Sequence, residues 1–355
     1  MAQTTGQAQT NRRPDGTLKR LTKKLLVEAG LARAWAGVAR RRVPLVVTFH
    51  EVTPDGSPHA MPPDPLLRIE PSVLEWVLTR LARRFRFATL EEVFLSRNPR
   101  LAAVTFDDGY RGIYRHAFPI LADRRIPATI FLVTEHVGTS KLLWWDRLRV
   151  QARRAQEGGT HAARRLESIL PSCENGGGRI DENALVAAFM AATNRERERI
   201  LQVLDEVAGP LGAQGRVFLS PQEIREMAAD GIQFGAHTRT HPLLTWLDDA
   251  ALREEVAGSL ADVRDLCGEE HAWFAYPDGV FGDRELAAAR DAGFRGAVQT
   301  WRQPWRRGAF AVPRVALNRW TLCGGRPEPD PARLEIALAG LSPRAERPSR
   351  NGRAA

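Results

Sequence analysis

Leu101-Ala-Ala-Val-Thr-Phe-Asp-Asp-Gly-Tyr110 runs six apolar or β-favouring residues into two adjacent carboxylates and a glycine. A short apolar run of this kind reads as a buried strand, and Gly109 permits a tight turn directly after it. Outward from it, Val43-Pro-Leu-Val-Val-Thr-Phe49 is a second such run, ending at His50, and Ala128-Thr-Ile-Phe-Leu-Val133 is a third. Between them lie a Pro-rich loop at 54–65, helical patterns near 71–83 and 114–124, and a helix start at Thr89-Leu-Glu-Glu-Val93. Strands alternating with helices predict an α/β domain with a parallel sheet, helices outside it and functional side chains at the carboxyl ends of the strands.

The rhythm breaks between about 141 and 216, where helical stretches at 144–156, 161–170 and 181–208 surround the turn Asn175-Gly-Gly-Gly178. This segment reads as a helical insertion. Alternation resumes with helices at 221–230, 248–267 and 283–292 and strands at 232–236, 272–276, 295–299 and 311–317. The expected organisation is a basic extension over 1–42, one domain over 43–323, and a mostly flexible tail over 324–355 with one short helix near 331–340.

With 355 residues, 43% hydrophobic and 26% charged, the chain can bury a sizeable core. The position of its +9 formal charge matters more than the size. Residues 1–42 carry ten Lys or Arg against two Asp or Glu, and 341–355 carry four against one, which leaves the body between them at −2. A near-neutral body with basic ends is not a nucleic-acid-binding core, so no nucleic-acid partner is expected. Leu21, Leu25, Ala29, Ala32 and Trp35 recur at helical spacing among basic residues. Residues 17–42 therefore read either as a helix packed on the domain or as a basic amphipathic helix touching an anionic membrane. Cys173, Cys267 and Cys323 include no C-x-x-C pair, which argues against a disulfide framework or a thiolate zinc site. Neither an eighteen-residue apolar run nor the apolar stretch of a secretory signal is found, so the expected location is cytoplasmic, at most peripheral at the inner membrane face.

A second polar cluster follows the strand at 232–236. In Gly235-Ala-His-Thr-Arg-Thr-His241 two histidines stand four apart, a spacing that lets both imidazoles meet one cation if the backbone curls. The Glu of the H-E-x-x-H peptidase motif is absent, so that chemistry is not supported. Two imidazoles and a carboxylate suit a catalytic divalent ion, and a neighbouring carboxylate can take a proton from water. Trp144, Trp145 and Trp246 suit either a sugar face or a core, and Asp146 and Arg147 are candidates for a cleft rim.

Thr105-Phe-Asp-Asp-Gly109, His237-Thr-Arg-Thr-His241 and Phe274-Ala-Tyr-Pro-Asp-Gly279 stand in the order found in the polysaccharide deacetylases, also called carbohydrate esterase family 4 or the nodulation-type chitooligosaccharide deacetylase domain. The chain resembles that family over about 43–320. Val47-Thr-Phe-His-Glu-Val52 and Trp144-Trp-Asp-Arg-Leu148 are similar to a branch found beside bacterial surface-polysaccharide genes. The resemblance implies an irregular (β/α) barrel, typically of seven strands, and hydrolysis of an N-acetyl group from an amino sugar. It implies Asp107 as base and Asp108, His237 and His241 as ligands of a divalent metal, Zn2+ by default, with Co2+, Ni2+ or Mn2+ as alternatives. It also implies an oxyanion held by the metal and a backbone N–H near Asp278, with Tyr276 beside it in the substrate-binding motif.

Two departures from the family pattern stand out. The Arg that orients the base in many members is replaced by Ala275, and Arg314 in Val312-Pro-Arg-Val315 is the candidate substitute. The C-terminal Leu-x-x-His acid is missing, and His50 at the end of the first strand is the candidate donor to the departing amine. The expected substrate is an N-acetylated oligosaccharide, polysaccharide or lipid-linked sugar in surface-polysaccharide synthesis. The alternatives are deformylation of a lipid-linked amino sugar and a catalytically silent carbohydrate-binding homologue.

Overall fold

The computed structural model of the chain describes residues 43–54, 64–96, 98–157, 165, 180–209, 215–268, 272–300 and 310–340. The basic segment 17–42, the Gly-rich turn at 175–178 and the end of the C-terminal tail lie outside the described residues.

The strands are β1 (Leu45–Phe49), β2 (Glu51–Val52), β3 (Arg68–Ile69), β4 (Arg86–Phe87), β5 (Leu101–Phe106), β6 (Ala128–Leu132), β7 (Gln233–Ala236), β8 (Trp273–Ala275), β9 (Gly296–Gln299), β10 (Val312–Pro313) and β11 (Val315–Ala316). The main sheet runs β10-β9-β8-β7-β6-β5-β1-β11, with β4 beside β5, and all its pairs are parallel. Its two ends are halves of one stretch of chain. Val312 pairs with Val298 of β9, and three residues later Val315 pairs with Val47 of β1, so the sheet closes through Arg314. The architecture is the expected irregular (β/α) barrel. Its path counts eight strands rather than seven because Arg314 divides the last stave, its N–H bonded to the Gln299 carbonyl at 2.9 Å.

Alternation along each strand assigns the faces. Leu45, Val47, Phe49, Val104, Phe106 and Ile130 join the large core under the surrounding helices, including Pro71–Ala82 and Asp249–Cys267. The intervening positions Val46, Ala103, Phe131, Trp273, Val298 and Val312 form a separate cluster inside the barrel. Helix Leu90–Ser96, begun by the Thr89 hydroxyl accepting from the Glu92 N–H at 3.1 Å, plugs one end with Leu90 and Val93. Gly235 faces this interior, where an added Cβ would lie 2.6 Å from the Trp273 carbonyl oxygen and 2.7 Å from the Phe131 ring. Gly235→Ala should therefore lower stability by about 1–3 kcal/mol through overpacking, read as an earlier urea midpoint at unchanged slope.

The insertion contributes helices Trp144–Glu157, Glu182–Ala191 and Asn194–Ala208, which share a small core of Leu148, Ala152, Leu185, Phe189, Ile200 and Leu204. Elsewhere local chemistry adjusts the expected elements. The helix expected at 114–124 is a π-helical turn, Ile113–Ala117, running into helix Phe118–Asp123, since Pro119 lacks the N–H that a regular helix needs there. β2 and β3 pair as a small parallel sheet across the Pro-rich loop. The short helix expected near 331–340 is Pro331–Leu338, and its Leu334, Ala337 and Leu338 present one apolar face to the main core.

Candidate active site

The interior parity that carries Val46 and Ala103 continues, two residues at a time, through Thr48 to His50 and through Thr105 to Asp107. On β7 it leads from Gly235 to His237, and on the split stave from Val312 to Arg314. All four chemical residues thus converge at the carboxyl ends of the strands. Asp107 donates its N–H to the Phe49 carbonyl at 2.9 Å. Asp108 and Gly109 then turn into the left-handed region at φ 69 and 73, which brings a second carboxylate to the same site.

The histidine loop is curled in the same way. Thr238 and His241 have φ of 68 and 60, and the Thr238 hydroxyl accepts from the His241 N–H at 3.0 Å. Helix Asp249–Cys267 fixes the curl from outside. Glu255 accepts from the N–H groups of Arg239 and Thr240 at 2.8 and 3.0 Å, and Asp262 accepts from the Arg239 side chain at 3.2 Å. Of the five non-glycine residues with positive φ among those described, Asp108, Thr238, His241 and Asp278 lie at this site. Such conformations cost about 1–3 kcal/mol each and persist where surrounding contacts enforce them.

Asp108, His237 and His241 place three ligand atoms together, all buried. The two Nε2 atoms are 3.1 Å apart, and each is 3.6 Å from Asp108 Oδ1. Ligands of one tetrahedral Zn2+ stand about 3.3–3.4 Å apart given metal–ligand bonds near 2.0–2.1 Å, so the spacing fits. His237 donates from Nδ1 to the Ala275 carbonyl at 2.7 Å, which leaves the Nε2 lone pair facing Asp108. Asp108 Oδ2 is buried without a hydrogen-bond partner. Burial holds the His237 imidazole below its usual range, and burial with His237 nearby holds His241 well below, so both present lone pairs. Burial, then Asp107, Asp146 and Asp278, push the Asp108 carboxyl well above the carboxylate range. Three converging buried donor atoms, one on a carboxyl that needs a positive partner in order to ionise there, suit a cation.

Asp107 stands beside this triad in a different state. Arg314, wholly buried, grips both its oxygens at 2.7 Å and also donates to Thr48 and Thr105 at 3.2 Å. Burial raises the Asp107 carboxyl, but Arg314 first, then His237 and His50, outweigh that and hold it below the usual range. The pair of adjacent aspartates is thus split into one kept ionised by a guanidinium and one turned to the imidazoles. Arg314, the candidate substitute for the Arg that Ala275 replaces, is thus in direct contact with Asp107.

His50 Nε2 lies 3.9 Å from Asp107 Oδ2. Burial, together with Arg314 and His237 and against Asp107, lowers its pKa to about 4, so at rest it is neutral rather than the protonated imidazole expected. Asp278 reaches φ 56 within the turn Pro277–Gly279. Tyr276 departs from expectation, because strand alternation sends its side chain outward. Its ring stacks on Phe281 at 4.1 Å in the main core, and its hydroxyl is buried.

The tryptophan pair splits. Trp145 is buried edge-on against His241, ring centroids 4.4 Å apart, whereas Trp144 packs on Phe189 of the insertion and on Trp246 beyond the histidine loop. Arg147 is engaged by Asp205 at 2.7 Å. Asp146 is not a rim residue but wholly buried, accepting from the Tyr110 hydroxyl at 2.7 Å. Burial pushes its carboxyl from 3.8 to about 7, with Asp64 adding to the rise and Tyr110 and Arg149 opposing it. Between those values the folded chain holds a proton that the unfolded chain has lost, so this group's contribution to stability falls as pH rises from 3.8 to about 7. The difference corresponds to about 4 kcal/mol. Asp146→Asn should flatten the melting-temperature profile across that window and raise stability above it. An unchanged profile would place the titration elsewhere.

The sequence profile of the polysaccharide deacetylase family matches residues 95–175 and 177–297. No curated protein matches the chain. Among solved structures, the chain is similar to deacetylase PplD of Streptococcus pyogenes in complex with acetate, at 15% identity over 85% of this chain and 99% of that one, TM-score 0.52. It is also similar to IcaB from Ammonifex degensii, at 20% identity over 85% and 98%, TM-score 0.52. A polysaccharide deacetylase from Bacillus cereus aligns at 16% identity over 78% and 65%, TM-score 0.50. These likenesses show the shared barrel. With the profile covering more than half of its length, the chain belongs to the polysaccharide deacetylase family, metal-dependent hydrolases of non-peptide carbon–nitrogen bonds.

Proposed function

We propose that the protein removes an N-acetyl group from an amino sugar of a glycan or a lipid-linked glycan precursor, using a divalent ion held by Asp108, His237 and His241. The observation that carries this reading is the triad of converging buried donors beside a separately clamped carboxylate. The donor set suits Zn2+, and when bound the ion supplies Lewis-acid polarisation of the amide carbonyl and a more acidic water.

The chain's own groups supply the proton path. Asp107, kept ionised by Arg314, takes the proton of the attacking water. The backbone N–H of Asp278, in its left-handed turn, is the donor proposed for the oxyanion. His50 is the donor to the departing amine. Being neutral at rest, it collects that proton within the cycle from Asp107, 3.9 Å away, and the net transfer is one proton from water to nitrogen. The acetate bound to PplD, similar in fold, is the acid such a reaction releases.

The test is metal analysis of the purified chain with acetate and formate release from N-acylated amino sugars, free and lipid-linked. About one ion per chain with acetate release supports the reading, and formate release would favour the deformylase. Metal without turnover on any acylated sugar would favour a silent binding homologue. No metal after reconstitution would overturn the mechanism. The basic residues of 17–42 support peripheral contact with an anionic membrane, at its cytoplasmic face, worth about 1 kcal/mol per Lys or Arg near the surface. Deleting 17–42 should abolish co-sedimentation with phosphatidylglycerol vesicles and leave metal content unchanged.

A further inference from the structure

The start of the helical insertion and the segment 217–219 directly after its far end grip the loops that carry the metal ligands. At its start, Trp145 lies edge-on against the His241 ring at 4.4 Å with the planes at 74°. The next residue, Asp146, accepts at 2.7 Å from the hydroxyl of Tyr110, two residues beyond Asp108. One helical turn therefore touches the aspartate turn and the histidine loop at once. At the far end, the Arg111 N–H donates to the Val217 carbonyl at 2.8 Å, and the Leu219 N–H donates to the Gly109 carbonyl at 3.0 Å. Tyr110 bridges to Phe218 and stacks on its ring at 5.0 Å. Tyr110, Trp145, Val217 and Phe218 close around these contacts as an apolar cluster distinct from the barrel's own.

The strain at the ligands gives these contacts a task. Asp108 and His241 hold left-handed backbones that relax unless something enforces them. Inside the barrel the strands fix only the residues before each turn. Beyond them, the aspartate turn is held by Tyr110 and the 217–219 segment, the His241 backbone by the Thr238 hydroxyl, and the His241 ring is backed by Trp145.

We propose that the insertion is the back wall of the metal cradle, with Trp145, Asp146 and Tyr110 as positioning residues that set metal affinity. This rests on the metal site proposed above. By linkage, whatever the docked insertion adds to metal affinity, bound metal must return to the docking of the insertion.

The experiment uses the full chain, with Zn2+ affinity measured by chelator competition and amide exchange followed over 144–157 with and without Zn2+. Tyr110→Phe leaves Asp146 without its donor, so the double variant Tyr110→Phe with Asp146→Leu is made beside it to remove both buried polar partners. Arg153→Ala, which breaks a pair with Glu182 inside the insertion, is the control. The expected result is affinity about 10- to 100-fold weaker in the single and double variants, unchanged affinity in the control, and metal-induced slowing of exchange over 144–157 that the double variant loses. Wild-type affinity in the double variant, or exchange over 144–157 indifferent to metal in the wild type, overturns the proposal. A wild-type chain that binds no Zn2+ overturns the metal site itself, so the two failures are told apart.

Discussion

Replacing Arg314 by methionine is expected to lower kcat by about 100-fold or more, the scale of a lost general base, and to cost about 3–5 kcal/mol of stability, the scale of a broken buried ion pair. Both follow from one contact, the two-pronged grip on Asp107 at 2.7 Å, with both side chains buried. Burial alone would raise the Asp107 carboxyl, and Arg314 is the first of the groups that reverse this. Without it the carboxyl is protonated to higher pH, and a protonated acid cannot take a proton from water. Residual activity of Arg314→Met should accordingly rise toward alkaline pH relative to wild type. Arg314→Lys keeps the charge but loses the planar fork, so it should fall between the two. Adding Asp107→Leu to Arg314→Met should recover much of the stability and none of the activity, since no unpaired charge is then buried. Urea denaturation and acetate release on the four proteins check this, and wild-type kcat in Arg314→Met would remove Arg314 from the machinery.

That residue also marks where the sequence is readable and where it is not. Strand runs such as Leu101–Phe106 are legible because they are apolar on both faces, and their alternation with helices leads to a parallel sheet. The ligands Asp108, His237 and His241 are legible because each lies within a few residues of such a strand end. Arg314 was found as a candidate from its place near a late strand, but its grip on Asp107 joins residues 207 apart, which no local pattern carries. Its inward turn also splits the stave, which is why the strand count rose to eight. Tyr276 shows the converse failure: the motif around it points to the site, but strand parity at Ala275 turns the next side chain outward to Phe281. The positioning groups were missed because their roles arise only through packing. Glu255 lies mid-helix and reads as a solvated face, and Asp146 reads as a rim residue until helix Trp144–Glu157 buries it.

His237→Ala is expected to abolish the stabilisation that Zn2+ gives the chain. A ligand that binds only the folded state stabilises it by about 4 kcal/mol at a thousandfold excess over Kd, so wild type should melt at a higher temperature with Zn2+ and revert on chelation, while the variant responds to neither. The effect is large because His237 is doubly placed. Its Nε2 stands 3.1 Å from its partner imidazole and 3.6 Å from Asp108, and its Nδ1 is fixed by the Ala275 carbonyl. Removal also leaves that carbonyl without its donor, which costs about 1–3 kcal/mol, so some loss of stability is expected even under chelator. The metal response separates the two effects, because a structural loss lowers both melting curves and keeps their spacing. Thr238→Val provides the graded case. It deletes only the hydroxyl that accepts from the His241 N–H at 3.0 Å, so the spacing should shrink without vanishing. A His237→Ala chain that kept the wild-type response would place the ion elsewhere and leave the strained turn at Asp108 and His241 without a purpose.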